Sequence, residues 1–366
     1  MILASKLRLH IGDYSEGSEK LPAYLRFELG RDNAHIFISG SSGAGKSVAG
    51  QSLALQIASQ GVPVLAIDLN QTLSPDHIYA PLSEAFERQA IRHNLYNSPV
   101  SSNLITPISR NGFDEDVFDT ALGLSDIIER NFHLGPAQGS ILTAAVTAVV
   151  ECREISHQIF PCILDELEKT KLSSSLTLSK RLAPLLRRNI FEYQKDSCTP
   201  LTPHIHCFDL SQFPLKIKSV LAELLLYDWF RTACSLQTPI YIMIDEVQNL
   251  KLGRNSVLGH TLSEGRKFCI GTLLLSQTLR GFSTEEQLLL SQAGAKLFFK
   301  PPLAEVRSHS ELLSDPQHRA ETIELLKDLT VGQCLLSGQA YIGDDPAPCT
   351  DCLLINVTLP DSFRVT

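Results

Sequence analysis

Two patterns of apolar and polar positions alternate along the chain, and each predicts a different kind of structure. Short, continuous apolar runs, which are typical of strands buried on both faces, lie before residue 74 and after residue 203. Helix-like stretches at 47–59, 215–236 and 259–267 separate several of them, which predicts βαβ units with parallel, right-handed crossovers. The predicted core strands are 34–39, 62–67, 204–210, 240–244, 270–276, 296–299, 333–337 and 353–357.

Between residues 74 and 203 the strand-like runs disappear, and apolar residues recur at helical spacing instead. We therefore expect a mainly helical insertion at 74–203, a core formed by 35–73 together with 204–366, and a short β lead-in at 1–34. The predicted fold class is α/β, with a mainly parallel central sheet flanked by helices. The helices expected in the insertion are 82–93, 113–128, 138–152, 160–172 and 176–191.

A glycine-rich stretch follows the first core strand and precedes a helix, which is the setting of a phosphate-binding loop (P-loop). Its glycines let successive backbone N–H groups turn toward a phosphate, and the N-terminal end of the next helix favours the same anion. Lys46 is expected to reach the β- and γ-phosphates of ATP, and the Ser47 hydroxyl to ligate Mg²⁺. The predicted nucleotide-binding residues are Gly40, Ser41, Ser42, Gly43, Ala44, Gly45, Lys46, Ser47 and Val48.

Two adjacent carboxylates, Asp245 and Glu246, follow the apolar run at 240–244. Because the carboxyl ends of parallel strands meet at one edge of a sheet, we expect both side chains to face the phosphate-binding loop. Asp245 would then hold Mg²⁺, and Glu246 would orient and polarise the attacking water. A pair of residues that caps the following helix is the structural alternative.

Gln277 follows the next predicted strand, and Arg266 lies at the end of the predicted helix that precedes this strand. The Gln277 amide is expected near the γ-phosphate or the attacking water, with a buried polar strand end as the alternative. Arg266 can stabilise transition-state charge only if it contacts a γ-phosphate, and we expect this to be the γ-phosphate bound by a neighbouring subunit. The alternative is an ordinary surface arginine. The densest basic stretch, at 180–188, is either a solvated helix face or a phosphate contact.

Composition narrows the class of protein. With 366 residues, 43% of them hydrophobic and 20% charged, the chain has the composition of a globular protein. No apolar run approaches the roughly 20 residues that span a bilayer, and the first residues lack the layout of a signal peptide, so we expect a cytoplasmic protein without a membrane partner. The net charge of −8 argues against a broad basic face and leaves only a local site, such as a pore, for DNA.

Taken together, residues 40–47, 240–246 and 262–277 resemble the HerA/FtsK superfamily of ring-forming P-loop motor ATPases. Residues 207–211 and 329–334 are similar to that superfamily as well, so the resemblance covers 34–70 and 204–357. It implies a RecA-like core, a homohexameric ring, ATP hydrolysis at the subunit interfaces and, usually, translocation of double-stranded DNA through a central pore. By matched position the resemblance gives nucleotide roles to Lys46, Ser47, Asp245, Glu246 and Gln277, and an interface role to Arg266.

The chain differs from HerA-type members of that superfamily in two places. Only residues 1–34 precede the core, where the HerA branch carries an N-terminal β-barrel, and residues 69–72 replace the usual Pro-His-Gly-like turn. The chain therefore looks closer to motor modules of conjugation or of bacterial defence systems, in which a partner protein supplies a nuclease or another effector. Two functions stay open: an ATP-driven motor that translocates or remodels double-stranded DNA with a partner, and a nucleotide-gated oligomeric scaffold that regulates an effector without DNA translocation.

Overall fold

The strands and helices follow the sequence pattern closely in the core and less closely between residues 74 and 203. The computed structural model describes residues 5–110, 113–152, 158–193, 201–349 and 352–363. Its strands are β1 (Lys6–Glu16), β2 (Glu19–Glu28), β3 (His35–Ser39), β4 (Val64–Asp68), β5 (Ala90–Asn94), β6 (Val100–Ser102), β7 (Ser109–Arg110), β8 (Phe113–Asp114), β9 (Phe191–Tyr193), β10 (Ile205–Asp209), β11 (Ile240–Ile244), β12 (Ile270–Ser276), β13 (Ala295–Phe299), β14 (Gln333–Gly338), β15 (Ala340–Ile342) and β16 (Leu353–Val357). Its α-helices are α1 (Lys46–Ser59), α2 (Ser83–Gln89), α3 (Val117–Phe132), α4 (Pro136–Glu151), α5 (Ile159–Lys169), α6 (Ser173–Leu186), α7 (Leu215–Leu236), α8 (Val257–Glu264), α9 (Thr284–Ser291), α10 (Val306–Leu313) and α11 (Arg319–Asp328).

Within the described residues the largest sheet has 12 strands, in the order β15-β2-β1-β16-β14-β13-β3-β12-β11-β4-β10-β5. The central strands β13, β3, β12, β11 and β4 pair in parallel. Every residue of β3, β4, β11 and β12 is buried, which explains their continuous apolar runs. Beyond β13 the sheet continues in antiparallel pairs through β14, β16, β1, β2 and β15.

The order of the central strands decides where the site lies. Strands β3, β12, β11 and β4 are consecutive neighbours, and their register pairs Ser39 with Ser276 and Ile244 with both Leu274 and Ile67. All four strands therefore end at the same edge of the sheet. The polar residues that follow them in sequence meet at that edge.

The chain divides into two compact units. The first comprises Met1–Arg92, Thr202–Cys207 and Thr238–Thr366 and contains the parallel centre of the sheet; the second comprises His93–Leu201 and Phe208–Gln237 and contains α3 to α7. In the second unit an ion pair of 2.8 Å between Arg130 and Glu223 joins α3 to α7. The domain boundaries expected from the sequence stay a prediction. No helix among the described residues has both the length and the hydropathy needed to cross a bilayer.

Three expectations for residues 74–203 are wrong. The helix expected at 113–128 begins at Val117, because Phe113–Asp114 forms strand β8, which pairs with β7. The helix expected at 82–93 ends at Gln89, and Ala90–Asn94 forms strand β5 of the large sheet. The helix expected at 176–191 ends at Leu186, and β9 follows it and pairs in parallel with β6. Strands are therefore present in this region, because pairing with distant segments overrides a local spacing that is ambiguous over five or fewer residues.

Candidate nucleotide site

The predicted phosphate-binding loop connects β3 to α1 and is fixed by backbone contacts on two sides. Both the N–H and the Oγ of Ser41 donate to the carbonyl oxygen of Lys300 at 2.8 Å, and the N–H of Gly332 donates to the carbonyl of Ala44 at 3.0 Å. Gly40 has a φ of 150°, and a Cβ at this position would lie 2.7 Å from the Cβ of Phe299. A glycine is therefore required where the loop leaves β3.

Helix α1 begins at Lys46 and points its N-terminal end into the loop. Gly45 precedes it in a left-handed conformation, with a φ of 116°. The first N–H groups of a helix lack helical acceptors and carry the positive end of its dipole, which makes this end a site for anions. Ser42, Gly43 and Ser47 are exposed on the loop, and Val48 is half-buried in the first turn.

Lys46 is 5% exposed, and its Nζ donates to the carbonyl oxygen of Ser41 at 2.8 Å. Burial lowers the pKa of this lysine, whereas the nearby charges of Asp245 and Glu246 raise it. The structure thus brings Lys46 together with the two carboxylates that the sequence assigned to the same edge of the sheet. All three side chains belong to the first compact unit.

Asp245 follows β11 and is 5% exposed. Burial raises the pKa of its carboxyl group to about 6, while a hydrogen bond from the Thr72 side chain acts in the opposite direction. The carboxylate of Asp68 accepts the N–H of Thr72 at 3.0 Å and that of Leu73 at 2.8 Å, and the Thr72 hydroxyl lies 3.3 Å from its Oδ1. Asp68 thus holds the segment 69–72 near Asp245.

Glu246 has a left-handed backbone conformation, with φ and ψ of 58° and 45°. For a residue other than glycine this conformation costs about 1–3 kcal/mol and is found mainly at functional sites. The side chain is 8% exposed, and each carboxylate oxygen accepts a hydrogen bond from an amide, Oε1 from Gln277 and Oε2 from Gln248. Glu246 is the cap residue of the short helix Val247–Asn249, and in the described structure its side chain makes no capping hydrogen bond there. Asp245 Oδ1 accepts the N–H of Glu246 at 2.9 Å.

Gln277 follows β12 and belongs to a network at the edge of the sheet. Ser276 Oγ lies 2.8 Å from Oε1 of Gln248 and 2.6 Å from the carbonyl oxygen of Thr278. The structure places Gln277 against Glu246; its contact with a γ-phosphate or a water stays a prediction. The sequence pattern does not single out Thr72 or Gln248, although the unusual segment 69–72 was a signal for Thr72.

Arg266 lies apart from this cluster. It is exposed on the short helix Gly265–Phe268, which precedes β12, whereas Gln277 follows β12. The seven residues of β12 span about 23 Å at the usual rise of a strand, so the two residues lie at opposite edges of the sheet. Action on a neighbouring subunit's nucleotide stays a prediction for Arg266.

The fold is that of RecA-like P-loop NTPases, which confirms the predicted fold class, and comparisons with solved structures agree. VirB4 of Thermoanaerobacter pseudethanolicus is similar with a TM-score of 0.67 and 16% identity over 98% of each chain. The plasmid coupling protein TrwB, in its complex with ADP and Mg²⁺, is similar with a TM-score of 0.58 and 13% identity over 90% of this chain and 87% of that one.

A family comparison supports the same class. The helicase HerA-like C-terminal family model matches residues 14–95, which include the phosphate-binding loop. The resemblance to P-loop motor ATPases of the HerA/FtsK type is thereby confirmed. A comparison with curated protein sequences finds no match.

Proposed function

We propose that the chain is an ATP hydrolase and that residues 40–48 with Asp245, Glu246 and Gln277 form its site. One observation carries the proposal: the carboxylate of Glu246 accepts hydrogen bonds from two amides at the edge of the sheet, where its charge and that of Asp245 act on Lys46. A carboxylate fixed in this way suits the activation of a water that attacks a phosphate bound to the loop. TrwB, which shares this fold, has been solved with ADP and Mg²⁺, and this supports the assignment of the nucleotide.

The donor atoms at the site fit Mg²⁺. Ser47 offers an exposed hydroxyl and Asp245 a buried carboxylate, and hard oxygen donors of this kind are what Mg²⁺ prefers. Burial disfavours the ionised form of Asp245, so a cation beside it would stabilise the carboxylate. When bound, Mg²⁺ neutralises charge that develops on the phosphate oxygens.

The protein's own residues supply the remaining steps. Lys46 exchanges its contact with the Ser41 carbonyl for the β- and γ-phosphates, to which a charged donor bonds more strongly. Glu246 orients the water and accepts its proton, and the neutral amide of Gln277 keeps the carboxylate in place. The positive N-terminal end of α1, with its first N–H groups, holds the phosphates throughout the reaction.

We further propose that the protein is a cytoplasmic, homohexameric ring motor that translocates or remodels double-stranded DNA with a partner protein. The match to the HerA-like model and the similarity to TrwB, described as a bacterial conjugative coupling protein, support this assignment. The net charge of −8 favours the second candidate, a nucleotide-gated scaffold that regulates a partner effector without moving DNA.

The two candidates predict different responses to DNA. For a motor, we expect steady-state ATP hydrolysis by the purified protein to rise severalfold when double-stranded DNA is added, and to fall again at high salt as phosphate contacts weaken. The mass of the assembly with nucleotide bound, measured in the same buffer, is expected to be that of a hexamer. Hydrolysis that proceeds at the same rate with and without DNA would contradict the motor and support the scaffold.

Replacing Lys46 tests the nucleotide site itself. Lys46→Ala removes charge-assisted hydrogen bonds to the phosphates, each worth about 1.5–3 kcal/mol, so ATP is expected to bind about 10- to 100-fold more weakly. Equilibrium binding of a fluorescent ATP analogue measures the effect. Lys327→Ala, which removes an exposed lysine paired with Glu324, is the matched control and is expected to bind as the parent does. If Lys46→Ala binds ATP with the affinity of the parent and hydrolyses it at the parental rate, the assignment of the nucleotide site is wrong.

A further inference from the structure

Glu305 is a buried carboxylate that lies outside the predicted site and binds the residues immediately after Gln277. It ends the short helix Leu303–Glu305, directly before α10, and is 5% exposed. Its Oε2 accepts the N–H of Leu279 at 2.7 Å, and its Oε1 accepts the hydroxyl of Thr278 at 2.6 Å. Glutamates are rarely buried without such partners.

These hydrogen bonds hold a segment that has little other support from regular structure. Leu279 is 1% exposed, so its N–H would be buried without an acceptor if the carboxylate were removed. Thr278 is held on its other side as well, because its hydroxyl accepts the N–H of Arg280 at 3.1 Å and its carbonyl lies 2.6 Å from Ser276 Oγ. Gln277 lies between these fixed points, and its amide donates to Glu246.

The helix that follows Glu305 is itself anchored to the phosphate-binding loop. His309 is buried one turn further on, with Nδ1 at 2.9 Å from the carbonyl oxygen of Glu305 and Nε2 at 2.9 Å from Ser39 Oγ. A carbonyl only accepts, so Nδ1 carries the proton; burial lowers the pKa of His309, and the neutral ring then accepts the Ser39 hydroxyl at Nε2. Ser39 directly precedes Gly40.

One turn of chain, from Glu305 to His309, thus connects the residue before the phosphate-binding loop to the residues after Gln277. We propose that Glu305 is a positioning residue for ATP hydrolysis, which holds Gln277 against Glu246 through Thr278 and Leu279. The inference rests on the proposed hydrolytic function and extends it to a residue that touches neither nucleotide nor water. Its effect is expected on the rate of the chemical step, because the groups that bind the phosphates lie on a different loop.

Two substitutions at Glu305 form a graded test. Glu305→Ala removes both acceptors, and we expect kcat to fall about 10- to 100-fold, as for a small misplacement of catalytic groups, while KM and the Kd for ATP change less than about threefold. Glu305→Gln keeps one acceptor for Leu279 and a polar partner for Thr278, so its kcat is expected between those of the parent and Glu305→Ala. Glu311→Gln is the matched control, because this carboxylate on α10 pairs only with exposed or half-exposed arginines in the described structure.

Thr278→Val removes the same interaction from the opposite side and carries the test if Glu305→Ala does not fold. It is expected to lower kcat with little change in KM. The loss of rate in the double variant with Glu305→Ala is expected to be smaller than the product of the two separate losses, because both substitutions remove the same hydrogen bond, whereas Thr278→Val alone also removes the acceptor of the Arg280 N–H. Thermal unfolding of each variant separates a loss of fold from a loss of rate.

The outcomes separate this inference from the proposed function. If the parent hydrolyses ATP and the kcat of Glu305→Ala lies within twofold of the parental kcat, the inference about Glu305 is overturned and the proposed function stands. The same holds if the substitution lowers the unfolding temperature and weakens ATP binding while kcat stays parental, since Glu305 is then merely structural. A parent that binds ATP and releases no phosphate overturns the proposed function, and the inference with it.

Discussion

Glu246→Gln is expected to bind ATP with the affinity of the parent and to lose most of its hydrolysis. The substitution keeps the size of the side chain but removes its capacity to accept a proton from water, and the loss of a positioned general base commonly lowers the rate by about 10²–10⁴. Lys46 and the N–H groups of the loop, which we propose to bind the phosphates, are unchanged. The expected result is therefore a fall in kcat without a matching change in the Kd for ATP.

The hydrogen bonds around Glu246 determine which controls this experiment needs. Both carboxylate oxygens accept amide hydrogens, so the variant leaves either Gln248 or Gln277 facing an NH₂ group. Thermal unfolding must therefore show that the fold persists, and Glu324→Gln, an exposed carboxylate paired with Lys327, serves as the matched substitution. Phosphate release by Glu246→Gln at the parental rate would remove Glu246 from the mechanism.

Arg266→Ala is expected to lower ATP hydrolysis strongly, because we expect Arg266 to act on the nucleotide bound by a neighbouring subunit. The sheet separates Arg266 from its own chain's site, because β12 has the arginine before it and Gln277 after it. An arginine supplied across an interface is worth about 10³–10⁵ in rate in other P-loop enzymes. Lys267→Ala is the matched control: this neighbouring cation pairs with Glu264 on its own chain, and its removal is expected to leave the rate unchanged.

A mixing experiment separates action across an interface from a defect within one chain. Arg266→Ala subunits keep an intact phosphate-binding loop, and Lys46→Ala subunits keep an intact arginine. In rings of randomly exchanged subunits, about a quarter of the interfaces combine the two intact parts. We expect ATPase activity to recover partly on mixing. Full activity of the Arg266→Ala ring by itself would contradict the proposed role, and so would a mixture no more active than its components.

The central strands and the polar residues at their ends were predictable from the sequence for a simple physical reason. Strands buried on both faces appear as short apolar runs, and parallel strands bring their carboxyl ends to one edge. The residues after β3, β11 and β12 could therefore be assigned to one site without knowing a single distance. The structure brings Lys46, Asp245, Glu246 and Gln277 together in this way.

The remaining contacts depend on partners far apart in the chain, which a local pattern does not contain. Thr278 and Glu305 are 27 residues apart, and nothing in the sequence around Glu305 indicates that its carboxylate turns toward Thr278. Strand β5 could not be predicted for the same reason. Its five residues suit a helix equally well, and only their pairing in the large sheet makes them a strand. Thr72 was recognisable only as part of an unusual turn, and its hydrogen bonds to Asp68 depend on the geometry of the loop between the two residues.

The central claim is that the edge of the sheet is a hydrolytic site for Mg²⁺ and ATP. Its most direct test measures, on one preparation each of the parent and Glu246→Gln, both the binding of ATP and the release of phosphate over many turnovers, with Mg²⁺ and with EDTA. We expect equal binding of ATP by the two proteins, and repeated Mg²⁺-dependent phosphate release by the parent alone. A parent that binds ATP without releasing phosphate, or equal release by both proteins, would contradict it.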